Sequence, residues 1–165
     1  MAETRAPVLT GGCQCGAVRF AAYTEPVDVG ICHCRMCQKA FGGPFASLAG
    51  FKHADFAWTR GQPGTFRSSS VATRGFCATC GTPLTMQAGD EGVIEVATGA
   101  FDEPARVAPT FEVGTEAKLG WLAGIAGFPG RSTAQASGEA KIARIVSYQH
   151  PDHDTGADWA PEAKL

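Results

Sequence analysis

Residues 31–45 read ICHCRMCQKAFGGPF, with three cysteines inside six positions, a histidine between the first two, and a Gly-Gly-Pro turn behind them. Clustering of so scarce a residue needs a cause: metal binding, disulfide formation or nucleophilic chemistry. Two more pairs bear on the choice. Cys13 and Cys15 lie in GGCQCGAVRF (11–20), and Cys77 and Cys80 in GFCATCGTP (75–83), for seven cysteines in all. An odd number fits poorly with a closed disulfide framework.

The surrounding composition is globular. Of 165 residues, 44% are apolar and 18% charged. The length suits a single domain over residues 1–165, with a core at about 10–121 and a C-terminal strand and mobile tail after 130. A net charge of −2 leaves no basic face for nucleic acid or an anionic membrane. No stretch approaches the ~18 apolar residues of a membrane span, and the N-terminal residues lack the apolar core of a secretory signal. The expectation is a cytoplasmic protein with reduced thiols and a small-molecule partner, which favours metal or thiol chemistry.

Short strand-like runs recur at 17–23, 27–31, 45–51, 65–69, 83–87 and 93–98, punctuated by turns such as those at 42–44 and 61–64. This spacing predicts an all-β fold of hairpins and small antiparallel sheets. Helix is a minor element, with one turn after Cys34 and a short piece near 116–123. Residues 131–140 read as a loop, KIARIVSY (141–148) as a strand, and the chain from 150 onward as a mobile tail. Trp58 and Trp121 are candidates for the core or a pocket wall.

The thiols divide naturally into two sites. Cys77 and Cys80 form a knuckle in which two sulfurs converge on one ion when the chain turns between them, and Gly81 can take the positive φ such a turn uses. In an extended chain Cys13 and Cys15 point to one side. Two plus two gives the closed tetrahedral thiolate set of a structural zinc. Cys32, Cys34 and Cys37 are one ligand short of closure, and an open fourth position is what a catalytic zinc keeps for water or substrate. By the same alternation His33 points away from that ion. Other readings stay open from the residues alone: disulfides, thiols packed in the core, one cluster using all seven sulfurs, an iron–sulfur centre, or a purely structural second zinc closed by His33, His53 or an acid.

Taken in order and spacing, GGCQCGAVRF, CHCRMCQKAFGGPF and RGFCATCGTPL resemble the glutathione-dependent formaldehyde-activating enzyme family. VATGAFDEP (96–104) and the pair Lys118 and Trp121 extend the match, which runs from about 10 to 121. The resemblance implies a β-tent type zinc-containing fold, with Cys13, Cys15, Cys77 and Cys80 at a structural zinc and Cys32, Cys34 and Cys37 at a second, labile one. It also implies the family's named activity, condensation of glutathione with formaldehyde, which is a carbon–sulfur lyase reaction in the reverse sense. Many members carry a histidine in the segment aligned with PTFEVGTEAK (109–118), where this chain has Phe111 and Glu112.

The mechanism expected on this basis has a thiol, with glutathione as co-substrate, activated at the open zinc and adding to formaldehyde or another small electrophile. Arg67, Arg74 and Lys39 are candidate partners for the carboxylates of glutathione. The competing class is a non-catalytic zinc scaffold that binds a partner, its second site structural or redox-sensitive.

Overall fold

The computed structural model describes residues 5–89 and 92–160. Among these residues two sheets account for most of the ordered chain. The smaller is antiparallel in the order β1 (Leu9–Gly12), β2 (Arg19–Ala22), β5 (Phe56–Arg60). The larger also contains β3 (Asp28–Cys32), β4 (Ala46–Lys52), β6 (Gly64–Arg67), β7 (Ala72–Phe76), β8 (Pro83–Ala88), β9 (Val93–Ala97) and β10 (Phe111–Val113), in the order β10-β3-β4-β9-β8-β7-β6. Its pairs are antiparallel except for β10, which runs parallel to β3. The expected all-β class is therefore what the structure shows.

The core lies where the two sheets meet. Phe20 of β2 stacks on Phe56 at 5.3 Å and meets Trp58 and Phe101 edge-on at 6.1 and 5.1 Å. Phe51 of β4 continues the cluster toward the large sheet, 5.9 Å from Phe101. Aromatic pairs of this kind add ~0.5–1.5 kcal/mol beyond their buried area. β4 is an interior strand, and its run of small residues and Phe51 is buried at nearly every position, on both faces. Trp58 accordingly packs, half-buried, against the core, whereas Trp121 is 51% exposed and does not.

Helix is sparse, as expected. α1 (Arg35–Phe41) follows Cys34 directly, and two short 3-10 stretches occupy Thr115–Ala117 and Gly120–Gly127. The C-terminal region differs from the sequence reading. Residues 131–140, expected as a loop, contain α2 (Thr133–Ser137) and the start of α3 (Glu139–Ile142). Ser132 and Gln135 cap α2 reciprocally, a local hydrogen-bonding preference that overrides the small polar composition. The strand expected at 141–148 is absent, because no sheet edge receives it and α3 takes its first two residues.

The expected mobile tail is instead docked as far as it is described; residues 161–165 lie outside the described residues. The His150 N–H donates to the Gln14 carbonyl at 2.7 Å, and the His150 ring packs against Trp159 at 4.6 Å. The Arg60 guanidinium donates to the carbonyls of Gly16, Thr155 and Gly156 at 3.2, 2.6 and 2.6 Å. The segment thus lies against the turn that carries Cys13 and Cys15.

Candidate metal centres and the adjoining cleft

Cys13 and Cys15 do not lie in an extended strand. β1 ends at Gly12, and a turn closed by the Gly16 N–H to the Cys13 carbonyl at 3.0 Å brings the sulfurs together. They are 3.6 Å apart, and Cys15 Sγ is 3.8 Å from Cys77 Sγ. The second pair sits in the loop between β7 and β8, where the Gly81 N–H donates to the Cys77 carbonyl at 2.8 Å and Gly81 has φ +78°. All four sulfurs lie within 4.8 Å of one another. Two sulfurs on one tetrahedral ion at roughly 2.3 Å stand roughly 3.8 Å apart, so the spacing fits one ion.

The same packing sets the protonation of these thiols. Burial and the neighbouring thiols push Cys15 up to about 12. Burial also acts to raise Cys80, but the Thr82 hydroxyl 3.1 Å from its sulfur and nearby backbone N–H groups outweigh that and hold it at about 6. Four packed thiols cannot all ionise without a cation, and binding one releases protons.

The second group is built from β3 and α1. Cys32 is the last residue of β3, Cys34 is the N-cap of α1, and Cys37 lies one turn further, 2% exposed. The three sulfurs lie within 4.8 Å of one another, and among the described residues no fourth ligand joins them. Cys34 Sγ accepts the Cys37 N–H at 3.4 Å. Burial and the adjacent thiols push Cys32 up to about 12. Burial also raises Cys37, opposed by Arg74, whose Nη2 donates to Cys37 Sγ at 3.4 Å.

His33 is not part of this group. Its Nε2 lies 3.0 Å from the Glu112 carboxylate, its ring meets Phe45 edge-on, and its backbone N–H donates to the Val113 carbonyl at 3.0 Å. Glu112 in turn accepts two bonds from Lys118 Nζ at 2.8 and 2.7 Å. The Gln38 amide donates to the His33 and Ala117 carbonyls at 2.7 and 2.9 Å, tying α1 to the loop after β10. His53 lies in a 3-10 turn after β4 and joins neither group of sulfurs. Sequence reasoning does not find Gln38 as a brace and marks Glu112 only as a departure from the family pattern. The pairing of β10 with β3 that brings Glu112 to His33 has no local signal.

Of the three candidate cations, Arg74 and Lys39 line a cleft of about 510 Å³ beside α1, together with Phe41, Phe66 and Phe76. Arg67 is directed elsewhere, to the Ser69 and Ser70 carbonyls at 3.3 and 3.0 Å.

The profile of the glutathione-dependent formaldehyde-activating enzyme family matches residues 8–117, which hold all seven cysteines. The chain belongs to that family. A relative described as an uncharacterized lyase of Schizosaccharomyces pombe is 32% identical over 78 residues, covering 47% of this chain and 56% of that protein. The chain thus spans just over half the length of that relative. The crystal structure of a Rhodobacter sphaeroides protein aligns with a TM-score of 0.52 at 23% identity, over 63% of this chain and 99% of that one. This second likeness concerns the fold alone. For this member of the formaldehyde-activating family, two sheets and two groups of thiols thus accompany the β-tent type fold.

Proposed function

We propose that the chain is a zinc-dependent carbon–sulfur lyase-type enzyme with two zinc sites of different character. Cys13, Cys15, Cys77 and Cys80 would hold a structural zinc that ties the turn after β1 to the β7–β8 loop. Cys32, Cys34 and Cys37 would hold a second, labile zinc with its fourth position open. Zinc there supplies a Lewis acid that lowers the pKa of a thiol placed in the open position. The observation that carries this reading is the contrast between four converging sulfurs at one site and three at the other.

The reaction proposed is addition of a thiol, with glutathione as co-substrate, to formaldehyde or another small electrophile. A carbon–sulfur bond forms, and the thiol proton ends on the former carbonyl oxygen. The chain's own residues shape the site. Arg74 places a positive charge against Cys37, offsetting the negative charge that three thiolates bring to a divalent ion. Gln38 ties α1 to His33 and to the loop after β10, so Cys34 and Cys37 keep their place beside Cys32. All seven cysteines are unpaired, which suits the reducing cytoplasm proposed as the location.

The test is zinc per chain before and after a mild chelator, followed by calorimetric titration with glutathione. Two zincs, one labile, with glutathione binding lost on chelation, support the reading. One tightly held zinc without glutathione binding overturns it and leaves a scaffold that binds some other partner.

A further inference from the structure

The cleft beside α1 has a chemistry that formaldehyde does not require and glutathione does not match. Its volume of about 510 Å³ lies in the range of small-molecule sites. Its walls are Met36, Phe41, Phe66 and Phe76, with the cations Arg74 and Lys39. Among the described residues that line it, none is acidic. A one-carbon aldehyde fills a small fraction of such a space. Arg74 and Lys39 could meet the carboxylates of glutathione, but its ammonium finds no acid in the cleft and its small apolar surface leaves the four apolar side chains uncovered.

The wall is built by strand register. Phe66 of β6 stands directly opposite Arg74 of β7, and Arg74 opposite Met86 of β8. Directly opposed residues of antiparallel strands share a face. Phe66 is 63% exposed, a large apolar surface presented at the rim of the cleft. Arg74 is 7% exposed, so a guanidinium is held almost wholly inside the protein between this rim and Cys37. Its Nη2 is committed to Cys37 Sγ at 3.4 Å and its Nε to Ser68 Oγ at 3.2 Å. Nη1 is buried and, among the described residues, has no hydrogen-bond partner. Arg74 and Lys39 thus place two positive charges in the wall of a cleft lined by no acid, and a carboxylate is their natural complement.

We propose that the cleft formed by Phe41, Phe66, Phe76, Lys39 and Arg74 binds an apolar carboxylate, on the scale of an aryl- or alkyl-substituted propanoate. Resting on the reading of Cys32, Cys34 and Cys37 as the reacting site, this makes the electrophile a larger aldehyde that carries an acid group. Arg74 is then a specificity residue. It reaches the cysteine site through Nη2 and orients the carboxylate from the same guanidinium.

The experiment uses the zinc-loaded full chain and ligands without a thiol, so that it does not depend on thiol activation. Calorimetric titrations compare 3-phenylpropanoate with the neutral 3-phenylpropan-1-ol. Binding of the acid at least about tenfold tighter than the alcohol is expected for a carboxylate facing a buried cation. Arg74→Gln should abolish that preference, and Phe66→Ala should weaken both ligands. If Arg74→Gln does not fold, Lys39→Gln at the exposed end of the cleft should narrow the acid-to-alcohol ratio. Equal affinity for acid and alcohol, or no binding of either, overturns the proposal. Acid binding without any glutathione response would count against thiol activation and leave the cleft standing. A glutathione response without acid binding would do the reverse.

Discussion

The Arg19 guanidinium and the Asp102 carboxylate are joined by two parallel hydrogen bonds of 2.8 and 2.6 Å, with their side chains 3% and 8% exposed. Thr10 donates to the same carboxylate at 2.6 Å, and Asp154 takes a second pair of bonds from Arg19. The pair therefore locks β1, β2, the segment after β9 and the C-terminal segment together. Burial alone would raise Asp102, but Arg19 and Thr10 hold it below the usual carboxylate range. Its contribution is thus present above the ordinary value of ~3.9 and lost as pH falls through the lower folded value. Removing Asp102 leaves the buried Arg19 guanidinium with the half-exposed Asp154 as its acidic partner. Asp102→Ala is therefore expected to cost less than the ~3–5 kcal/mol of a fully stranded charge in urea unfolding, and Arg19→Met with Asp102→Leu should recover most of that loss. A double variant no more stable than Asp102→Ala would contradict this account.

The two groups of thiols should respond differently to loss of a ligand. Cys77 ties a loop to a turn 62 positions away, so Cys77→Ser opens the proposed structural site, where metal free energy would be folding free energy. Little soluble, folded protein is expected. Cys34 joins β3 to the adjacent α1, and the strand ladder holds those elements in place already. Cys34→Ser should fold with near-wild-type circular dichroism and with zinc reduced from about two to about one per chain. Equal loss of folding in both variants would remove the division of labour.

Within each motif the meeting of the sulfurs is legible in the cysteine spacings, because a short turn dictates which neighbouring thiols can meet. That Cys13 and Cys15 join Cys77 follows from counting ligands and from the fold, not from local spacing. For Cys13 and Cys15 the extended strand that the spacing suggests is replaced by a turn at Gly16, yet the two sulfurs still meet. Six of the ten strands coincide with apolar runs bounded by turns. Among the others, β7 carries a buried Arg74 at a position that pattern reading assigns to solvent, and β10 is three residues long. The strand expected at 141–148 shows the opposite failure, since an apolar run forms a strand only where an edge accepts it. In the sequence Arg74 is one cation among three. Only the register of β6, β7 and β8 distinguishes it from Arg67.

Docking of the C-terminal segment should depend on pH through His150. This residue is 4% exposed, with Nδ1 2.7 Å from the Pro151 carbonyl and Nε2 2.9 Å from Thr155 Oγ1. Burial, together with the positive charges of Arg19 and Arg60, holds it below the ordinary imidazole value; the Pro151 carbonyl and Asp102 act in the other direction. The released segment therefore binds a proton more readily than the docked one. Docking is fully stable above roughly pH 6.5 and weakens as pH falls from there toward the lower folded value, by at most about tenfold per pH unit. Hydrogen exchange of the amides at 149–159, corrected for intrinsic rates, should show protection lost between pH 7.5 and 5.5. Unchanged protection across that interval would exclude His150 as the cause.

Gly114 should be a sensitive position for the second site. It lies just after β10 with φ +66°, a region that costs a side chain ~1 kcal/mol or more. A Cβ there would also stand 2.8 Å from the Cys34 backbone nitrogen, closer than such contacts allow, and in van der Waals contact with the Cys34 Cα and Cβ at 3.4 Å. Relief requires the loop to lift from Cys34 or Cys34 to shift, and either change alters the spacing of the three sulfurs proposed to meet one ion. The first group of thiols has no part in this contact. Gly114→Ala is therefore expected to lower stability by ~1–3 kcal/mol and to weaken metal binding at the second site alone. Titration with cobalt, followed by the thiolate charge-transfer bands, would resolve the two sites. Equal weakening at both, or at neither, would show that the loop after β10 does not position Cys34.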